Sequence, residues 1–135
     1  MMKGLIDTNL PINQLSGKVV DVAFNVHKEL GPGLFESVYE DVLFVEFKKV
    51  GLSVERQKSI YINWDNKIIA RPAFKEDFII ENKILIEIKS IESFALVHFK
   101  QVETYLRLTG LNLGLLINFN EAYFKDGVRR IVNNI

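Results

Sequence analysis

Two short apolar segments near the middle of the chain, residues 74–80 and 84–90, constrain its fold more than any other part of the sequence. Runs of this length rich in Ile and Phe are typical of β-strands, and the polar triplet 81–83 between them predicts a hairpin connection. Each predicted strand carries a carboxylate among its apolar residues, Asp77 in the first and Glu87 in the second. Any fold of this chain must therefore accommodate acidic side chains in a largely apolar hairpin.

The register of this hairpin decides whether the two carboxylates meet. If residues 81–83 form a three-residue loop, Ile80 lies opposite Ile84 and, counting back, Asp77 lies opposite Glu87. Directly opposed side chains have Cβ atoms about 4.5–5.5 Å apart. A two-residue turn would instead place Asp77 and Glu87 on opposite faces of the sheet, so the predicted pair depends on the length of the loop.

Two carboxylates at that separation repel each other, and burial raises the cost. A divalent cation with hard oxygen ligands removes the conflict, which favours Mg²⁺ or Mn²⁺ over zinc. Lys89 shares the face of Glu87 and could offset negative charge or reach a phosphate or an attacking water. The alternative is a solvated strand face on which Glu87 and Lys89 form an ordinary ion pair. Asp77, Glu87 and Lys89 alone do not separate these two interpretations.

Apolar residues recur at helical spacing in three other segments, and a glycine follows each of them closely. The predicted helices cover residues 10–30, 35–50 and 95–108. The apolar face predicted for the second helix consists of Phe35, Val38, Tyr39, Val42, Leu43 and Phe47.

Further strands are predicted on both sides of the hairpin. They cover residues 54–62, a return strand at 68–70 after a turn at 64–67, and a strand at 113–117 that is apolar on both faces and therefore buried. Residues 128–132 fit a strand or a helical turn. This order of elements predicts one α/β layered domain over residues 1–135, with a mixed β-sheet flanked by helices.

Composition excludes several classes of protein. The chain has 17 basic and 17 acidic residues, and its net charge of +0 does not favour a protein that coats nucleic acid non-specifically. The absence of cysteine excludes disulfides, thiolate metal sites and cysteine nucleophiles. No apolar run approaches the roughly 20 residues of a membrane span. We therefore expect a cytoplasmic protein without a membrane partner.

The segment after the first predicted helix matches a known signature. Residues 33–39, Gly-Leu-Phe-Glu-Ser-Val-Tyr, fit the pattern GxxExxY and follow directly on Gly31-Pro32. Together with Asp77, the triplet Glu87-Ile88-Lys89 and the segment 114–119, they make the chain resemble the GxxExxY family of the PD-(D/E)XK nuclease superfamily over about residues 15–132. The resemblance implies a restriction-endonuclease-like core of helix, strand meander, helix and buried parallel strand. The proline usual before the aspartate is absent, because Glu76 stands there.

The resemblance also implies roles for individual residues. Asp77 and Glu87 would ligate Mg²⁺ (or Mn²⁺), and Lys89 would orient or activate the nucleophilic water. Glu36 resembles the extra carboxylate that many superfamily members add to the metal site. Glu36 also stands in the first turn of a predicted helix, where acidic residues are favoured without any ligand role.

Residues of the third predicted helix are similar to the QxxxY motif of RecB-like nucleases in this superfamily. Gln101 and Tyr105 are four residues apart, and His98 shares their face. Gln101 would bind a water or a phosphate oxygen, with Tyr105 in support, although Tyr105 also fits a core aromatic with a satisfied hydroxyl. We interpret His98 and the signature Tyr39 as supporting residues, and we predict that His27 lies on the surface.

These observations predict a Mg²⁺-dependent nuclease acting on DNA or RNA. The main alternative is a catalytically silent module that retains the fold and binds nucleic acid or protein, and a metal-stabilised oligomerisation unit is a third interpretation. The resemblance allows a homodimer. For Asn118 and the pair Arg129-Arg130, a phosphate contact and a simple surface position are both open.

Overall fold

The computed structural model describes residues 4–133. Over that range it contains three α-helices, which are α1 (Ile12–Leu30), α2 (Glu36–Lys49) and α3 (Leu96–Thr109). The predicted helices are confirmed to within two residues at each end. Gly31 and Gly110, which directly follow α1 and α3, have φ angles of 71° and 74°. Glycine adopts this left-handed region without steric cost, so both positions end their helices cleanly.

Seven strands are described in the rest of the chain. They are β1 (Val54–Ile60), β2 (Asn63–Trp64), β3 (Lys67–Ile68), β4 (Phe74–Ile80), β5 (Ile84–Lys89), β6 (Leu113–Asn118) and β7 (Val128–Val132). A short 3₁₀ helix, Phe124–Gly127, precedes β7. Residues 128–132 therefore form a strand. The sequence had allowed either a strand or a helical turn there.

The main sheet is mixed, as predicted. Within residues 4–133 its five strands run in the order β1-β4-β5-β6-β7, with β5 and β6 parallel and the other neighbours antiparallel. The return strand predicted at 68–70 does not join this sheet. Residues 63–68 instead form a separate small hairpin, β2-β3, whose turn residues Asp65 and Asn66 are both left-handed.

Helices cover the sheet on both faces. Side chains of α1 and α2 pack with Phe78, Ile86 and Ile117 in the larger apolar cluster. Val102 and Leu106 of α3 pack with Leu85 and Leu116 in a smaller cluster on the opposite face. Because β6 contributes to both clusters, every one of its residues is buried, which confirms the strand predicted at 113–117.

The apolar face of α2 is narrower than predicted. Tyr39, Leu43 and Phe47 are fully buried, but Val38 is 38% exposed and Phe35 is 82% exposed. Phe35 precedes the helix as its N-cap residue and has extended backbone angles. The prediction that Phe35 and Val38 help to form the core-facing side of α2 is therefore wrong.

Within residues 4–133, no helix combines the length and the apolar character needed to cross a membrane.

Candidate metal centre

The hairpin of β4 and β5 has the predicted register, but its ladder ends before the two carboxylates pair. Ile80 pairs with Ile84, and the last regular pair of the ladder is Phe78 with Ile86. Beyond it, the N–H of Ile88 donates to Oδ2 of Asp77 at 2.8 Å. Asp77 therefore does not lie opposite Glu87 as a ladder pair. Its carboxylate fills the gap where the two strands separate.

Strand β4 also changes the phase of its side chains at this point. Phe74 and Phe78 are four residues apart, so a regular strand would place both on one face. The ring of Phe74 instead stacks on Tyr105 of α3 at 3.8 Å, whereas Phe78 packs against Phe44 and Phe47 of α2. The alternation of side chains along β4 is interrupted at Glu76 and Asp77. As a result, Glu76 lies beside Glu87, whereas Asp77 faces Glu36 and Glu40 of α2.

Asp77 lies on the α2 side of this irregularity. Opposite it in β1, Gln57 has a left-handed φ of 52°, and its Nε2 donates to Oδ1 of Asp77 at 3.1 Å. Gln57 also donates to Glu40 of α2. Burial raises the pKa of Asp77, and the hydrogen bond from Ile88 opposes this shift. Sequence reasoning missed Gln57, because nothing in a single strand indicates a strained residue that faces an acid.

Two carboxylates of α2 approach Asp77 from the first turns of the helix. Glu36 is exposed, but partial burial of its carboxyl group raises its pKa, and the negative charge of Asp77 raises it further. Glu40, one turn later, forms an ion pair with Arg56 at 2.9 Å. Glu36, Glu40 and Asp77 line one pocket of about 440 Å³. The structure thus brings Glu36 to Asp77, as the resemblance implies.

Glu87 and Lys89 are neighbours on β5. Glu87 is buried, and Nζ of Lys89 lies 3.9 Å from its Oε2. Burial, and then the negative charge of Asp77, raises the pKa of Glu87 to about 7, while a hydrogen bond with Glu76 and the charge of Lys89 oppose the shift. The alternative interpretation predicted a solvated strand face, but Glu87 is buried. The ammonium group of Lys89 alone does not balance the charges of Asp77 and Glu87.

Glu76 is a further member of the cluster that sequence reasoning missed. Its side chain is fully buried; neither carboxylate oxygen accepts a hydrogen bond from the described residues, but the carboxyl group is in hydrogen-bonding contact with Glu87. Burial, and then the negative charge of Glu87, raises its pKa to about 12. Glu76 therefore carries a proton at neutral pH. The only signal in the sequence was its place before Asp77, where the superfamily usually has proline.

Tyr105 is the residue of α3 that reaches this cluster. Burial raises the pKa of its hydroxyl, and the negative charges of Glu87 and Asp77 raise it further. Its stacking on Phe74 gives it a packing role as well. The two interpretations of Tyr105 are thus compatible, because the side chain packs against the sheet beside the carboxylates.

The other two residues noted on α3 do not share that position. Gln101 is exposed, and within residues 4–133 its side chain makes no hydrogen bond to the acidic residues. Nδ1 of His98 accepts a hydrogen bond from the N–H of Ala95 at 2.8 Å, which satisfies a free backbone donor at the start of α3. His98 therefore has a structural role, and a role for Gln101 remains a prediction.

The hydroxyl groups of Tyr39 and Ser90 hold the loops around the cluster. The hydroxyl of Tyr39 donates to the carbonyl of Gly31 at 2.6 Å and accepts from the N–H of Leu34 at 3.2 Å. The hydroxyl of Ser90, directly after β5, donates to the carbonyl of Leu34 at 2.6 Å. The loop before α2 is therefore tied both to its own helix and to the end of the strand that carries Lys89.

Asn118 and His27 are buried structural residues as well. The side chain of Asn118 accepts from the N–H of Ile91 at 3.1 Å and donates to its carbonyl at 2.9 Å, so it holds the segment that follows β5. Nε2 of His27 lies 2.8 Å from the carbonyl oxygen of Glu121, and only 6% of the residue is exposed. The prediction that His27 lies on the surface is wrong, because Phe119 and Phe124 pack against its ring.

The donor set suits a hard divalent cation. Among residues 4–133, no group of three or more His, Cys, Asp or Glu side chains is arranged to hold a metal ion. Mg²⁺, however, is usually bound through one or two carboxylates and keeps several waters. Asp77 and Glu87 are the candidate pair, and burial, the main cause of their raised pKa values, leaves both carboxylates poorly solvated in the absence of a cation. These residues therefore fit Mg²⁺ or Mn²⁺.

The geometry defines an α/β protein in which acidic side chains gather where two strands of a mixed sheet separate. A family model described as the PD-(D/E)XK nuclease superfamily matches residues 13–131. The chain therefore belongs to the PD-(D/E)XK nuclease superfamily, which confirms the resemblance at this level and the fold that it implies. No curated protein and no solved structure matches the chain.

Proposed function

We propose that this protein is a divalent-metal-dependent nuclease that hydrolyses phosphodiester bonds in DNA or RNA, and that it belongs to the GxxExxY family of its superfamily. The observation that carries the proposal is the half-buried Asp77 and the buried Glu87 beside Lys89, placed where β4 and β5 separate. Because the chain belongs to a nuclease superfamily, we infer that this cluster of acidic residues takes part in phosphodiester hydrolysis.

Asp77 and Glu87 are the proposed ligands of Mg²⁺ or Mn²⁺, with Glu36 as a third carboxylate from α2. When bound, the cation lowers the pKa of a water and offsets negative charge on the phosphate. Lys89 orients the attacking water, since its ammonium lies within 4 Å of Glu87. Gln101 is proposed to contact a phosphate or a water after substrate binds, with Tyr105, Tyr39 and His98 in supporting positions.

The decisive experiment compares cleavage of single- and double-stranded DNA and RNA in Mg²⁺, Mn²⁺ or EDTA. Asp77→Asn keeps an acceptor for the N–H of Ile88 while it removes the negative charge, and Asp65→Asn is the matched control on the distant β2-β3 turn. We expect metal-dependent cleavage that Asp77→Asn reduces by more than about 100-fold, beyond the cost of changing an outer-shell partner. Full activity in Asp77→Asn would refute the proposed site.

The silent binding module stays as a second candidate, because the net charge of +0 favours it. Melting curves in millimolar Mg²⁺ separate the two candidates from a protein without a metal site. A metal that binds the folded state raises the melting temperature. A rise without cleavage would favour the silent module, and no rise for the wild type would count against Asp77 and Glu87 as ligands.

A further inference from the structure

Phe35 is an apolar side chain that the fold leaves in water. It is 82% exposed, the highest value of any large hydrophobic residue within residues 4–133. It follows Gly33-Leu34 within the signature and precedes Glu36, the first residue of α2. An exposed phenyl ring adds little to the hydrophobic core, so Phe35 is free to contact a binding partner.

The backbone that carries Phe35 is firmly anchored. Tyr39 binds the carbonyl of Gly31 and the N–H of Leu34, and Ser90 binds the carbonyl of Leu34. The carbonyl of Phe35 itself accepts from the N–H of Val38 at 3.0 Å in the first turn of α2. The ring is therefore presented from a fixed position, which reduces the entropy lost when a partner binds it.

Phe35 lines the same pocket as Glu36, Glu40, Gln57 and Asp77. The pocket volume of about 440 Å³ falls within the range of roughly 300–1,000 Å³ typical of small-molecule sites. One wall of the pocket is thus an aromatic ring, and the other walls are carboxylates and an amide. Its occupant needs an apolar face for the ring and polar edges for the remaining walls.

An apolar protein segment fits this pocket poorly, because covering Phe35 would also remove water from Glu36 and Glu40 without replacing its hydrogen bonds. A nucleobase fits both requirements, since its flat face stacks on aromatic rings and its edge carries donors and acceptors. In a duplex that flat face is already stacked on neighbouring bases. Only an unpaired or extruded nucleotide can offer it to a protein ring.

We propose that Phe35 is a stacking platform for an unpaired nucleobase next to the phosphate that is cleaved, so that the substrate is single-stranded or locally unpaired nucleic acid. This inference rests on the proposed nuclease function. In this proposal Phe35 makes the protein prefer single-stranded over double-stranded nucleic acid, while Asp77, Glu87 and Lys89 act on the phosphate.

The test compares Phe35→Ala and Phe35→Trp with the wild type on single-stranded oligonucleotides of DNA and RNA and on matched duplexes. Tyr123→Ala is the control, because Tyr123 is another highly exposed aromatic residue, at 71%. We expect Phe35→Ala to lower kcat/KM on single strands by about five- to 150-fold, the range produced by loss of one base–aromatic stack. Phe35→Trp and Tyr123→Ala should stay close to the wild type.

A second readout does not require cleavage. Single-stranded DNA with one 2-aminopurine is titrated with protein in Ca²⁺, and stacking on Phe35 should quench its fluorescence in the wild type but not in Phe35→Ala. Equal kcat/KM and equal quenching in both proteins would overturn the inference while the nuclease proposal stands. If the wild type cleaves nothing, the nuclease proposal fails, and the quenching then decides alone whether Phe35 binds a base.

Discussion

Replacing Glu76 by glutamine should stabilise this protein at neutral pH. The wild-type carboxyl group is fully buried, and its pKa is raised from 4.5 to about 12. In the unfolded chain it ionises as the pH rises above 4.5, whereas in the folded protein it stays protonated. The unfolded state therefore binds fewer protons, and the stability of the wild type falls as the pH rises from 4.5 towards 12.

The size of the effect follows from linkage. Each pH unit between the two pKa values costs about 1.4 kcal/mol, so at pH 7 Glu76 lowers the free energy of unfolding by about 3 kcal/mol. This is a large share of a typical stability of about 5–15 kcal/mol. Glutamine keeps the shape of the neutral acid but cannot ionise in either state. At pH 5 the gain from Glu76→Gln should shrink to less than about 1 kcal/mol.

Urea unfolding at a series of pH values from 5 to 8, in EDTA, measures this difference directly. Glu92→Gln is the control, because Glu92 is exposed and the substitution removes the same carboxylate from the surface. We expect the stability gain of Glu76→Gln to grow with pH and Glu92→Gln to follow the wild type. A variant Glu76→Gln that is no more stable than the wild type at pH 7, or whose gain does not change with pH, would refute the reasoning.

Two further substitutions test the packing around the site by urea unfolding. Tyr39→Phe removes the hydroxyl that binds the carbonyl of Gly31, and it should lower the free energy of unfolding by about 1–3 kcal/mol, whereas no change would argue that this anchor is unimportant. Gly114→Ala would place a Cβ atom 2.7 Å from Cγ1 of Val102 and should cost about 1–3 kcal/mol through overpacking. Gly17→Ala, in α1 with no atom within 4 Å, should instead stabilise by about 0.5–1 kcal/mol, and similar effects at the two glycines would contradict this account.

Local patterns in the sequence were sufficient for the bounds of the three helices to within two residues and for those of β4, β5 and β6 to within one residue, but not for the return strand predicted at 68–70. Strand β4 has the predicted bounds, and the loop 81–83 places Ile80 opposite Ile84 as expected. The apolar run of β6 correctly indicates a strand covered on both faces. These features depend on residues close together in the chain, where side-chain periodicity and loop length decide the structure.

Motifs also identified most of the candidate site. Glu36, Asp77, Glu87 and Lys89 come from α2, β4 and β5 and lie around the same gap between strands, and Tyr105 of α3 borders it. Spacing within a strand predicted that Glu87 and Lys89 would be neighbours. The spacing of residues along the chain could not predict that regular pairing of β4 with β5 would end at Phe78 and Ile86, just before Asp77 and Glu87.

Tertiary contacts decided the features of the hairpin that differ from the prediction. The sequence by itself determined that Asp77 and Glu87 stand in two adjoining apolar strands joined by a three-residue loop. The side chains of β4 change face because Phe74 packs on α3 while Phe78 packs on α2, and Gln57 meets Asp77 at that point. Contacts between elements distant in the chain have no local periodicity, so only the assembled sheet and helices could bury Glu76 and turn Asp77 towards Glu36.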